Sequence, residues 1–239
     1  MSTLWATATD TEYGTTTERF AYYLCDACDC LSIYPVPEDR LAEIYPSSYY
    51  SFAGGGDAQT SRRHPVTRIK AWLDERTFRG VLDRVESRAL RILDVGGGTG
   101  EIASGLLSAA PSGSTATVVD FDPASIEAAR ARGLNAFCGR FEDFESEDRF
   151  DIVLMLNLLE HVADPLAILK RARNDLASGG VLWLQTPNFR AVDARLFRHR
   201  NWAGYHCPRH WAIFSDTGIS RALERCELEA ISIERTQAG

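Results

Sequence analysis

The sequence predicts an α/β fold: a Rossmann-like, mostly parallel sheet with helices on both faces, preceded by a small N-terminal module. Three observations carry this expectation. From residue 90 onward, short apolar runs alternate with amphipathic stretches. A glycine-rich turn joins the first run to the first amphipathic stretch. Polar and acidic residues gather where the runs end, the place at which open parallel sheets bind ligands. Composition agrees with this class. The chain has 239 residues, 45% apolar and 25% charged, with a net charge of −7. That length supports a self-sufficient core, and the acidic balance disfavours nucleic acid as a partner. No run approaches the roughly 18 uncharged apolar residues of a membrane span. The early segment carries Asp10, Glu12, Glu18 and Asp26 without an apolar core, so no leader is expected and the chain reads as cytoplasmic.

Taken in order, residues 1–19 are Thr-rich and aperiodic, a loose lead-in. Residues 20–33 read as short β structure around Cys25, Cys28 and Cys30. Pro35, Pro37 and Pro46 punctuate a short helical stretch over 38–45. Tyr49, Tyr50 and Phe52 lead into Gly54-Gly55-Gly56, the expected mobile joint. Val66, Ile69, Trp72, Leu73, Val81, Leu82 and Val85 recur near helical spacing, giving one or two helices over 64–87. The division is a Cys/Tyr-rich module and linker over 1–60, a helical lead-in or lid over 61–89, and the main domain over 90–239. Within that domain strands are expected over 91–95, 116–120, 135–138, 151–156, 181–185 and 228–233. Helices are expected over 101–109, 123–132, 165–177 and 216–226.

The strongest local signal is Ile92-Leu93-Asp94-Val95-Gly96-Gly97-Gly98-Thr99-Gly100-Glu101. Glycines at 96, 98 and 100 permit positive φ and let a ligand touch the backbone, and the following helix start offers unpaired N–H groups. A nicotinamide-type G-x-G-x-x-G would need a small residue at 101, where Glu101 stands. The carboxylate of Asp94 suits a cationic ligand better than a pyrophosphate. Asp120 ends the next strand, where a carboxylate can accept both hydroxyls of a ribose. Its alternative role as a helix cap is better filled by Asp122 before Pro123.

This constellation resembles the class I S-adenosylmethionine-dependent methyltransferases over about 150 residues, from Leu90 to the C-terminus. The resemblance implies that Gly96, Gly98 and Gly100 line the methionine and ribose parts of the cofactor, with Asp94 near its ammonium end. It also implies that Asp120 holds the ribose diol and that Phe121 packs on the adenine. Arg140 stands where an acidic reader of the adenine amine is usual, so the Phe141 backbone or Glu142 takes that place. Family sheets normally end with two further strands. The expected strand over 228–233 supplies one, leaving the last antiparallel strand missing and a sheet edge through which two copies could pair.

The run from Phe150 through Asn157, Glu160, His161 and Asp164-Pro165 resembles the fourth-strand motif of the ubiquinone- and menaquinone-biosynthesis branch. Asn157 is assigned to the cofactor side and Glu160 to the substrate side. His161 is a chemically sensible general base, the alternative being that it braces the loop. The arginine- and aromatic-rich stretch 189–215 is too long for a simple connection and is read as a substrate lid. It contributes His210 as a second candidate base, with Arg209 and Tyr205 as candidate substrate contacts. Against these stand bland alternatives: Arg209 in an ion pair, His210 orienting the loop, Tyr205 packing.

Cys25-x-x-Cys28 with Cys30 resembles one knuckle of a zinc ribbon. Zinc wants four N/S ligands, and no second close pair exists, so a metal-free remnant is expected. The weaker alternative uses Cys25, Cys28 and Cys30 as ligands, with His64 as the fourth. The expected activity is methyl transfer from S-adenosylmethionine to a small molecule, at oxygen. The rivals are an NAD(P)-dependent oxidoreductase, opposed by Asp94 and Glu101, and a cofactor-binding interaction protein without catalysis.

Overall fold

The computed structural model describes residues 1–45, 65–86 and 88–234. The Gly54–Gly56 joint, Tyr49, Tyr50, Phe52 and His64 lie outside the described residues, as do the side chains of Val66, Ile69 and Trp72. In chain order the elements are β1 (Ser2–Thr9), β2 (Arg19–Cys25), β3 (Cys30–Tyr34), α1 (Leu41–Ile44) and α2 (Pro65–Leu82). Then come β4 (Arg91–Val95), α3 (Glu101–Ala109), β5 (Thr115–Asp120), α4 (Pro123–Ala131), β6 (Asn135–Cys138) and β7 (Phe150–Leu156). The chain finishes through α5 (Pro165–Asp175), β8 (Leu176–Gln185), α6 (Val192–Phe197), β9 (Ala212–Phe214) and α7 (Asp216–Arg225). These elements form two compact units. Among the described residues, no helix is long and apolar enough to cross a membrane.

One unit holds α2, β4 to β8, α3 and α4. Its sheet has five strands in the order β6-β5-β4-β7-β8, every pairing parallel. Both faces are covered, which is why Ile92, Leu93, Val118 and Ile152 to Leu154 are buried as unbroken apolar runs. α3 contributes Ala103 and Leu106 to this core and α4 contributes Ile126 and Ala129. α4 starts where its sequence says: Asp122 accepts a hydrogen bond from Ser125 N at 2.8 Å, with Pro123 at the first helical position. That cap leaves Asp120 available for another task.

The other unit holds β1 to β3, α1, residues 157–173, α6, β9 and α7. Its sheet is antiparallel throughout, in the order β1-β2-β3-β9. Two expectations are corrected. The Thr-rich lead-in is a strand: Ala6 and Ala8 face the core while Thr7 and Thr9 do not, a period-2 pattern paired against Phe20 and Tyr22. Residues 228–233 form no strand; Ile231 and Ile233 stay exposed there, without a neighbouring strand to bury them. The 189–215 stretch is also more ordered than a long loop. Phe189, Trp202, Tyr205, Trp211 and Ile213 share one core with Ala6, Phe20, Tyr22, Leu31 and Ile33.

Candidate active site

The glycine turn sits at the carboxyl end of β4, held by Gly96 N donating to Val119 O at 2.8 Å. Gly96, Gly98 and Gly100 all have positive φ, and Gly100 caps α3 at φ 71°. A Cβ on Gly100 would clash with Leu134 and stand 3.1 Å from Val118 Cγ2. Gly98 by contrast faces open space, with nothing within 4 Å of a Cβ built there. Gly97, absent from the expected set, matters as much. Its added Cβ would lie 2.5 Å from Asp94 Oδ2, so the backbone lies directly on that carboxylate.

Asp94 is buried, and its Oδ2 has no hydrogen-bond partner among the described residues. Burial first, then the nearby Asp120, push its carboxyl up to about 7. An orphaned buried acceptor beside a glycine cradle is a built receptor for a donor-bearing cationic group. Asp120 accepts Gly98 N and Asp122 N, each at 2.9 Å, so it braces the turn while its carboxylate stays at the strand end. Its carboxyl is also raised, mainly by burial. Phe121, immediately after it, exposes 61% of its surface at the expected adenine position. Phe141 is buried in the core and Glu142 pairs with Arg140 at 3.2 Å, so neither presents a side chain committed to reading a base. These carboxylate acceptors and this cradle fit S-adenosylmethionine.

The second constellation belongs to the unit built on the antiparallel sheet. Asn157 is exposed in the left-handed region, φ 54°, and turns the chain into the short helix Leu159–His161. Glu160 is fully buried; its Oε2 accepts from Thr186 Oγ1 at 2.9 Å, and its Oε1 has no hydrogen-bond partner among the described residues. Burial pushes its carboxyl up to about 7. His210 Nε2 lies 3.9 Å from Glu160 Oε1. His161 packs edge-on against His210 with ring centroids 4.5 Å apart. One donor atom from each of Glu160, His161 and His210 lies within 4.8 Å of the others, a spacing that one cation or one protonated group could bridge.

Backbone carbonyls fix the histidine tautomers. His161 Nδ1 is 3.1 Å from Arg209 O and His210 Nδ1 is 2.9 Å from Gly204 O. A carbonyl only accepts, so each Nδ1 carries the proton and each Nε2 keeps a lone pair. Tyr45 adds its hydroxyl at 3.0 Å from His161 Nδ1. Burial holds both rings neutral: it lowers His161 to about 3 and His210 well below the usual imidazole range.

Two candidate residues have other partners. Arg209 is completely buried, pairing with Asp10 at 2.9 Å and donating to the carbonyls of Ile44 and Cys207. Its guanidinium holds the unit together, and its carbonyl orients His161. Tyr205 stacks on Tyr22 at 4.5 Å and donates to Arg198 O, as a core residue does. His206 is the residue that the sequence reading passed over. Its Nδ1 is 2.5 Å from Glu12 and its ring is 5.0 Å from that of His210, making a third imidazole in the cluster. The only hint in sequence was its place between Tyr205 and His210.

Comparison with known proteins identifies the family. The chain is 34% identical over 116 residues to a ubiquinone biosynthesis O-methyltransferase of Xanthomonas campestris pv. campestris, covering 45% of this chain and 47% of that protein. The same-named protein of Xanthomonas oryzae pv. oryzae is 34% identical over 113 residues, covering 44% and 46%. The match thus spans about half the length of those relatives. A methyltransferase solved with the Trm112 activator of Haloferax volcanii superposes with a TM-score of 0.53 at 20% identity, over 68% of this chain and 73% of that one. An O-methyltransferase family 2 protein of Planctomyces limnophilus, solved with apigenin, gives 0.52 at 18%, over 68% and 53%. At those identities the likeness shows the fold alone. Residues 62–233, well over half of the chain, match the family model described as a methyltransferase domain. That match disfavours the nicotinamide alternative: the chain belongs to this methyltransferase-domain family and carries its class I fold.

Proposed function

We propose that the chain methylates an oxygen of a small-molecule metabolite, with His210 and His161 as the proton acceptors. The observation that carries this reading is the convergence of a carboxylate oxygen and two imidazole nitrogens within 4.8 Å, in a cluster whose Nδ1 atoms are both tied to carbonyls. The two imidazole Nε2 lone pairs select an acceptor that brings its own O–H or N–H. S-adenosylmethionine supplies an electrophilic methyl group on a sulfonium, so the chain's task is to position the acceptor and remove its proton. His210 Nε2 takes that proton, and the unpartnered Glu160 Oε1 at 3.9 Å balances the imidazolium. His161 completes the donor-binding wall, pinned through the Arg209 carbonyl.

On the cofactor side, Asp94 holds the ammonium, Asp120 the ribose diol and Phe121 the adenine face, with Gly96 to Gly100 as the cradle. The Phe141 backbone or Glu142 completes the cofactor's surroundings. The relatives named for ubiquinone biosynthesis support an oxygen acceptor and a place in that branch. The three-cysteine hairpin is read as a reduced form of a ribbon knuckle. A cytoplasmic enzyme, working as two copies joined through the free edge of β8, completes the reading.

The test is calorimetric binding of S-adenosylmethionine and of NADP, followed by turnover on a panel of phenols, sugars and amines. Tight binding of the first alone, and turnover on hydroxyl acceptors that falls at least about 100-fold in His210→Ala, is the expected result. Turnover restricted to amines would remove the oxygen assignment. Unchanged turnover in both His210→Ala and His161→Ala would remove the base.

A further inference from the structure

The methyl-transfer reading gives no task to α6, the short helix of the antiparallel unit. Its inner side is accounted for: Ala194 is buried in the aromatic core and Ala191 packs beside it. Its outer side is apolar and bare, with Val192 75%, Leu196 70% and Phe197 48% exposed. Val192 and Leu196 are four positions apart and share one face, where a solvent-facing helix carries polar groups. Single exposed apolar residues are ordinary; three within six consecutive positions of one helix are not.

Charge around these side chains is just as uneven. The chain carries −7, yet residues 190–200 hold four arginines and a single acid, Asp193. That acid is engaged, its Oδ2 accepting from Trp202 Nε1 at 2.7 Å. Arg190 is neutralised by Asp29. Arg198 has its Cζ 3.7 Å from the Trp5 ring centre and donates to Trp5 O at 2.8 Å, so a ring and a carbonyl hold it rather than a carboxylate. Arg195 and Arg200 are exposed, and neither pairs with a carboxylate among the described residues. The adjoining β1, which this stretch touches at Trp5 O and at Thr9 N, has no charged side chain to offset them.

We propose that the outer face of α6 is a peripheral docking surface for an anionic phospholipid bilayer. Val192, Leu196 and Phe197 enter the headgroup layer, and Arg195 and Arg200 pair with lipid phosphates. Apolar side chains on one helix face with arginines beside them suit the boundary between headgroups and acyl chains. A protein partner fits less well. Six residues of helix span about 9 Å, and three side chains fall well short of the roughly 800 Å² that each partner buries in a stable interface. A lipid surface needs no such area, because it deforms around shallow side chains and adds attraction for each nearby arginine. The apolar contact and the charge act together, so removing either releases the chain. This docking is independent of the chemistry proposed for the histidine cluster, and its test reads no turnover.

The full chain is floated with vesicles of phosphatidylcholine alone and with vesicles containing about one-third phosphatidylglycerol. Expected is at least about tenfold more protein on the anionic vesicles, released as salt rises to about 0.5 M. Leu196→Ser and the double variant Arg195→Glu/Arg200→Glu should each cut that recovery at least about fivefold while keeping the wild-type Tm. Equal recovery on both vesicles, or none on either, would overturn the proposal. Variants that float like the wild type would do the same, because binding would then reside elsewhere on the surface. So would a concentration-dependent mass in lipid-free solution that Leu196→Ser abolishes, since the face would then belong to a second copy of the chain.

Discussion

Removing the carboxylate of Asp10 should destabilise this protein more than any change in its surface charges. The Arg209–Asp10 pair is sealed: both side chains are 0% exposed at an N–O distance of 2.9 Å. Asp10 also accepts from Tyr13 N at 3.0 Å, Thr15 N at 2.9 Å and Thr15 Oγ1 at 2.6 Å, so it organises its own turn. Arg209 meanwhile donates to Ile44 O at 2.7 Å. Asp10→Ala strands a guanidinium in the core, which costs about 3–5 kcal/mol. For a chain of this size that is a fall in Tm of about 6–20 °C, measured by calorimetry. The double variant Asp10→Leu/Arg209→Met should recover much of the loss, because an apolar replacement leaves no buried charge. Acid provides an internal control. The Arg209 guanidinium and the turn hydrogen bonds hold the Asp10 carboxyl well below the usual carboxylate range. Its stabilisation is therefore complete above about pH 4 and fades as pH falls toward the folded value. The gap between wild type and Asp10→Ala should shrink in that window. A loss below about 1 kcal/mol at pH 7 would mean that water reaches the pair and would refute the reasoning.

Other expectations follow from the same geometry. Gly97→Ala drives a methyl group onto Asp94 and should weaken S-adenosylmethionine at least about tenfold by calorimetry; an unchanged Kd would separate Asp94 from the cofactor. Asp120→Ala removes the acceptor for Gly98 N and Asp122 N, so cofactor affinity should fall while Asp120→Asn retains part of it. Glu160 has a folded value of about 7 against 4.5 when unperturbed, so the native state holds its proton longer and stability declines as pH rises across that interval. Glu160→Gln should abolish that decline, by at most about 3 kcal/mol, in urea titrations at pH 5 and pH 8. Identical pH slopes in the two proteins would place water at Oε1.

The parallel sheet and its glycine turn were legible because their determinants are local. Apolar runs such as Asp151 to Leu156 and the Asp122-Pro123 cap act within a few residues, so Asp94, Gly96, Gly98, Gly100 and Asp120 could be named from spacing alone. The histidine cluster was legible only in part. His161 and His210 carry their chemistry in their residue type, but their partners come from positions that no local pattern links: Thr186 to Glu160, Glu12 to His206, Gly204 to His210. Arg209 shows why the remainder was out of reach. An arginine in an aromatic stretch reads as an anion receptor, and only the strand formed by residues 2–9 brings Asp10 against it. That strand was itself concealed, because threonine and alanine alternating over eight positions carry little apolar signal until Phe20 and Tyr22 lie opposite them. Sequence by itself determined the fold class and the glycine turn and pointed to two candidate bases, because these depend on short-range pattern and residue chemistry. Tertiary structure decided which polar groups were already satisfied: Arg209 has its carboxylate and Tyr205 its carbonyl, whereas Asp94 Oδ2 and Glu160 Oε1 are the buried oxygens that no described residue partners, and burial makes those two the places where a ligand gains most by binding.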